Sequence, residues 1–143
     1  MSGTTEVAAA LRARLIAASP GAAVPSASVA WENRAFTPTL GTRWYDAHVM
    51  TGKPVAAAIS EAAPNRHVGV FHVNVYDPSG AGDGAATTEA ERIAACFKRG
   101  TVLTYSGVTV HIVSAHIERG LPQADPAWFQ VPVVIEWRAD VAN

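Results

Sequence analysis

Asn65-Arg66-His67-Val68-Gly69-Val70-Phe71-His72-Val73-Asn74-Val75-Tyr76, then Asp77-Pro78-Ser79-Gly80-Ala81-Gly82-Asp83-Gly84, then a run to Gly100: this stretch decides the fold. The first part is rich in β-branched and aromatic residues, so it reads as a strand over His67 to Tyr76. Its apolar residues fall on both parities, Val68 and Val70 on one, Phe71, Val73 and Val75 on the other. That pattern predicts a strand covered at least partly on both faces. Pro78 cannot continue a ladder, and Gly80, Gly82 and Gly84 free the backbone, so a loop follows. Thr88 with Glu91 three residues on has capping-box spacing and predicts the helix start. Ala90, Ile93, Ala94 and Phe97 then make one apolar stripe. Lys98 and Arg99 suit its last turn, and Gly100 suits a left-handed C′ position. Ile93 and Phe97 are expected to pack across the strand.

Upstream, Val7, Leu11 and Leu15 among alanines predict a helix from Thr4 to about Ala18, capped by Thr4 or Thr5 and stopped by Ser19-Pro20-Gly21. Ser28 to Glu32 reads as a short strand, and residues 33–41 as an irregular loop with Trp31 and Phe36 at its root. Strand character resumes from Thr42 to Met50, where polar and apolar residues do not separate by parity. In residues 51–64, Gly52-Lys53-Pro54 is turn chemistry, and Val55 to Ala63 fits a short helix or a loop.

Downstream, Val102 to Tyr105 and Val108 to Glu118 read as a hairpin turning at Ser106-Gly107. Val108, Val110 and Ile112 share one face; Val113, Ala115 and Ile117 share the other, so a β-bulge near Ile112-Val113 is expected. Arg119-Gly120-Leu121-Pro122 and Asp125-Pro126 form a loop. The last strand alternates cleanly, with Phe129, Val131, Val133, Ile135 and Trp137 on one face. Pro132 points to an edge or bulged position, and Ala139 to Asn143 to a frayed tail. The sum is an α+β fold: a mostly antiparallel sheet packed with two main helices, plus long irregular loops.

At 143 residues the chain is expected to be one domain spanning 1–143. A chain this long buries roughly 68–70% of its unfolded surface, enough for a core of its own. A net charge of −1 gives no footprint for nucleic acid, and no sequence-specific nucleic-acid partner is expected. The one cysteine, Cys96, excludes an internal disulfide and reads as a small buried hydrophobe of a reducing cytoplasm. Glu6, Arg12 and Arg14 in the first apolar stretch are unlike a signal peptide, and no apolar run approaches a membrane span.

Gly80-x-Gly82-x-x-Ala85 formally matches a dinucleotide fingerprint between strand and helix. Against it, the helix signals begin only at Thr88, no acidic residue follows at about twenty positions, and a hairpin comes next instead of a parallel strand. A flexible connection is the simpler reading, with Asp77 and Asp83 solvating it. The histidine pairs His67/His72 and His111/His116 have odd spacing, which puts each pair on opposite strand faces unless a bulge intervenes; His48 stands apart. No metal, cofactor or catalytic constellation is expected. Of the four tryptophans, Trp31, Trp44, Trp128 and Trp137, the last belongs to a core face. Trp31, Phe36 and Trp44 are expected to cluster, either as a small second core or as an anchor for another subunit.

Trp31-Glu32-Asn33, then Phe36-Thr37-Pro38, then Trp44, then Val73-Asn74-Val75-Tyr76-Asp77-Pro78-Ser79-Gly80-Ala81-Gly82 and a helix ending in Phe97 make an ordered set. From about Val7 to Trp137 the chain resembles the tail-terminator family of long-tailed bacteriophages, in particular its prophage-borne branch. The resemblance implies a non-enzymatic α+β subunit that forms a hexameric ring on the tail tube, stops tube growth and presents a surface to the head connector. The implied partners are other copies of itself, the tail-tube protein and the head–tail connector protein. The implied location is the virion tail, assembled in the bacterial host cytoplasm. Trp31, Asn33, Phe36, Trp44, Asp77, Gly80, Gly82 and Asp83 are the interface candidates. The alternatives are another neck or head–tail joining protein, or a nucleotide or small-ligand binder using residues 80–84.

Overall fold

The computed structural model describes residues 3–18, 20–80, 82–122 and 127–142, the side chains of Leu121 and Pro122 excepted. Ser19, Ala81, Asp125-Pro126 and Asn143, which entered the sequence reading, lie outside these residues. Helix α1 spans Thr4–Ile16 and α2 spans Gly84–Cys96. The strands are β1 (Val29–Trp31), β2 (Trp44–Thr51), β3 (Val55–Ala56), β4 (Asn65–Pro78), β5 (Val102–Tyr105), β6 (Val108–Ile117), β7 (Leu121–Pro122) and β8 (Trp128–Val141). They make one sheet in the order β1-β2-β4-β8-β6-β5, with β3 beside β4 and β7 beside β8. Among the described residues only β1 with β2 is parallel. This is the expected α+β class.

Both helices cover one face of the sheet. Helix α1 packs on β5 and β6, and α2 on β8, β6 and β4. Leu11 and Leu15 of α1 and Ala86, Ala90 and Ile93 of α2 meet Phe71, Val73, Val75, Val133, Ile135 and Trp137, all buried. As expected, Ile93 joins that core and Phe97 lies against Phe71, ring centroids 5.8 Å apart. The five predicted inward positions of the last strand all face this layer.

Several boundaries differ from expectation for local reasons. Helix α1 is capped by Gly3, at φ +77°, not by Thr4 or Thr5; a side chain at Gly3 would run into Val141. Helix α2 starts at Gly84, not Thr88, because Ala85 and Ala86 are strong helix formers and the Thr87 amide already bonds to the Asp83 carbonyl. It ends at Cys96, and Gly100 (φ +88°) serves the following turn instead of the helix cap. Strand β4 runs on through Asp77 and Pro78. It is buried on both faces only over residues 73–77; farther back Val68 is exposed. Leu121–Pro122 pairs with Gln130 and Phe129 instead of looping freely.

Val55 to Ala63 forms no helix: two residues pair with Arg66 and Asn65, and the rest turns in solvent. Strand β8 continues to Val141, with Ala139 and Val141 buried, so the tail is paired there and not frayed. Pro132 is in a central strand, not an edge. Its carbonyl accepts from the Glu118 amide, opposite it and just past the end of β6, so the missing N–H falls at the end of that ladder. The bulge falls where expected: register shifts between Ile112 and Ser114, Val113 is extruded, and Ala115 and Ile117 return to the helix side.

Candidate functional site

Among the described residues no helix covers the sheet's second face, and its chemistry gathers at the end where β4 finishes and β2 and β8 begin. Residues sharing a register position share a face. Trp44 pairs with Tyr76, and Pro78 with Trp128, which sets three aromatics side by side. Trp44 stacks on Tyr76 at 4.0 Å and meets Trp128 edge-on at 5.9 Å. Phe36, from the loop preceding β2, stacks on Trp44 at 5.5 Å. Below them Asp46 accepts from Asn74 Nδ2 at 2.6 Å and from the Tyr76 hydroxyl at 2.8 Å. Burial and the Asp46 carboxylate raise the Tyr76 pKa, so the hydroxyl stays a donor. Strand β2 therefore mixes polar and apolar residues because both its faces are used.

Trp31 does not join Phe36 and Trp44. It pairs with Ala47 on the helix-covered face, donates Nε1 to the Ser26 carbonyl, and lines a cavity of about 270 Å³ with Arg12, Ile16 and Arg34. The expected three-aromatic cluster is thus two separate features on opposite faces. Asn33 (φ +56°) turns the chain out of β1 and is exposed; asparagine tolerates that left-handed backbone. A parallel neighbour to β2 obliges the chain to travel back before β2 starts, which carries Phe36 to the aromatic end.

Asp77 does not solvate the glycine loop. It is buried at the end of β4 and holds Arg43 through a two-pronged pair at 2.5 and 2.9 Å. That bond raises the Arg43 pKa further. Beside it, Glu89 of α2 accepts from the Tyr45 hydroxyl at 2.5 Å and from Arg92 at 2.6 and 3.0 Å, and Arg92 reaches the Ala22 carbonyl. Burial alone would push Glu89 up. The Arg92 and Tyr45 hydrogen bonds and the Arg92 and Arg43 charges outweigh it and leave the carboxyl below its usual range. Burial first, then the Glu89 bond, raises Tyr45. Tyr45, Glu89, Arg43 and Arg92 were missed in sequence because no spacing rule links β2 to α2; the tyrosine beside Trp44 and the i,i+3 Glu89-Arg92 pair were the available signals.

Gly80 (φ +88°) and Gly82 (φ +81°) are exposed, as is Asp83, and nothing among the described residues lies within 4 Å of where a Cβ would stand on either glycine. Phe36, Trp44, Asp77, Gly80, Gly82 and Asp83 thus belong to the same end of the sheet, while Trp31 and Asn33 do not. The start of α2 directly after the glycines removes one objection to a phosphate site. The topology keeps another: β4 is antiparallel to both neighbours, and the strand after α2 lies at the far edge. The cleft beside the first turn of α2, about 510 Å³, is lined by Asp83 and Glu118 as well as Arg119, a poor setting for an anion. Among the described residues no group of three or more His, Cys, Asp or Glu side chains is placed to hold a metal ion. The bulge does bring His111 and His116 to the same, helix-free face, where His48 pairs with His72. No helix among the described residues is long and apolar enough to cross a membrane.

A family model described as phage tail terminator protein matches residues 6–137. The chain belongs to that family. Its members are structural proteins of the phage tail, so the protein is a structural component of the tail or neck region and not a member of an enzyme family. One solved structure, 27% identical, aligns over 97% of this chain and 96% of its own with a TM-score of 0.70. A second, titled as the virion of a native gene transfer agent particle, is 19% identical over 95% of this chain and 96% of its own, TM-score 0.59; it shares the fold. No curated protein sequence matches.

Proposed function

We propose that this tail terminator family protein caps the tail tube as a ring of six copies, stops tube polymerisation and offers a surface to the head–tail connector protein. The family match over residues 6–137 carries the reading. The likeness to a chain of a gene transfer agent virion is consistent with a place in such a particle. We take the protein to assemble in the host cytoplasm as one domain, 1–143. The exposed loops at the aromatic end are the partner-facing region, and Phe36, Gly80, Gly82 and Asp83 are its contact residues. Trp44 and Asp77 act from beneath, the first as the platform under Phe36 and the second by fixing Arg43. Trp31 and Asn33 serve a separate contact along the β1 edge. A ring needs head-to-tail contacts, so each copy must present two different patches.

Phe36→Asp tests the partner-facing loop. Phe36 is only partly buried, so the variant is expected to keep its far-ultraviolet circular dichroism while failing to cap tubes. Normal tail assembly by the folded variant would remove this loop from the interface. Trp44 is unsuitable for the same test, because a charge there would disrupt the stack with Tyr76 and Trp128.

A further inference from the structure

One end of the molecule carries a largely apolar arm that nothing among the described residues covers. After β2, residues 52–64 bend out, pair briefly through Val55–Ala56 and turn back into β4. Ile59 is 104% exposed and Val55 63%, and five alanines fill much of the rest. The pairing of Val55 and Ala56 with Arg66 and Asn65 keeps the arm in line with the sheet, so its tip lies beyond the start of β4. The same chain carries an open, mostly apolar groove of about 350 Å³, lined by Val68, Gly69, Val70, Val113 and Trp137 together with Glu136. The bulge extrudes Val113, which is 44% exposed. The arm does not enter its own groove, since Ile59 is fully exposed.

We propose that Ile59 of one copy seats in the Val68–Val70–Val113 groove of another, with Lys53 of the arm approaching Glu136 of the groove; the contact is between two copies of this chain and rests on the ring reading above. A knob and a hole on different parts of one molecule make a heterologous contact, the kind that repeats from copy to copy. The size fits, and each side offers a charged group. An isoleucine side chain is smaller than the groove. Of the arm's two charged residues, Lys53 and Glu61, Lys53 is the one suited to Glu136, whose carboxylate accepts from Ser114 Oγ at 3.0 Å and makes no ion pair among the described residues. Uncovered apolar patches on soluble proteins mark binding surfaces.

The test is a mixed disulfide. Ile59→Cys and Val113→Cys are made separately on a Cys96→Ala background, mixed, allowed to assemble on tail tubes and oxidised. The expected product is a linked pair of one variant with the other, absent from unassembled mixtures at low concentration. Both substitutions in one chain should give linked ladders and not a closed single chain. Rings that form without the mixed disulfide, or closure within one chain, overturn this contact and leave the terminator reading standing. A protein that stays monomeric while tubes grow bare overturns both. Ile59→Asp supplies a second readout: at least a tenfold loss of self-association with unchanged thermal stability. Wild-type self-association by that variant would also overturn the contact.

Discussion

Replacing Glu89 by alanine should be the most informative single change to the fold. Glu89 is 9% exposed and ties α2 to β2 through Tyr45 while holding Arg92. Its loss leaves the Tyr45 hydroxyl inside the protein with no acceptor, which costs about 1–3 kcal/mol. The Arg92 side chain is 44% exposed and can return to water, so that half of the network contributes under about 1 kcal/mol. The expected destabilisation is about 2–3 kcal/mol in urea unfolding at neutral pH, or about 5–10 °C in Tm for a domain of this size. Adding Tyr45→Phe should recover part of the loss, because the orphaned hydroxyl goes with it. The acid dependence follows from sign. Glu89 titrates below its ordinary value of 4.5 in the folded chain, so its contribution is present above that pH and is lost as pH falls through the folded value. The gap between wild type and Glu89→Ala should therefore narrow in acid. A loss under about 0.5 kcal/mol, typical of a solvated surface change, would refute the assignment. So would a double variant no more stable than the single.

Two further predictions concern glycine and alkali. Gly69→Ala should destabilise by about 1–3 kcal/mol, since the new Cβ would meet the Met50 carbonyl and the Trp137 ring. Gly82→Ala meets no atom of the described residues and should cost about 1 kcal/mol through its left-handed backbone alone; equal shifts in the urea midpoint would contradict the packing account. Tyr45 and Tyr76 have folded pKa values raised above the ordinary 10.0, so their stabilisation is complete below that pH and declines as pH rises through the folded values. Unfolding midpoints measured across the alkaline range should fall in wild type and fall less in Tyr76→Phe; parallel curves would show that the tyrosines are not buried donors.

The helix-side architecture was legible because it rests on periodicity. Val131, Val133, Ile135 and Trp137 alternate without interruption, and the phase flip at Ile112-Val113 could only be a bulge once both halves of β6 had to face one core. What failed were signals with a local competitor. Thr88 and Glu91 have capping-box spacing, yet Ala85 and Ala86 propagate the helix back to Asp83. Pro78 looked like the end of its strand and Pro132 like an edge or bulged residue, but each sits where a ladder bond is not required. Long-range polar pairing left no trace. Asp77 looked like a loop solvator and is buried against Arg43, 34 residues away. The family resemblance carried function where pattern could not: nothing in the spacing of Phe36, Trp44 and Gly80 specifies a ring, and only Phe36 and Trp44 of the three expected aromatics meet.

Tube length is the measurement that tests the central claim most directly. Purified protein is added to growing tubes of the cognate tail-tube protein, and tubes are measured by electron microscopy. The account predicts short tubes with a ring at one end, six-fold when viewed along the axis. Tubes that grow unchecked and bare would contradict it.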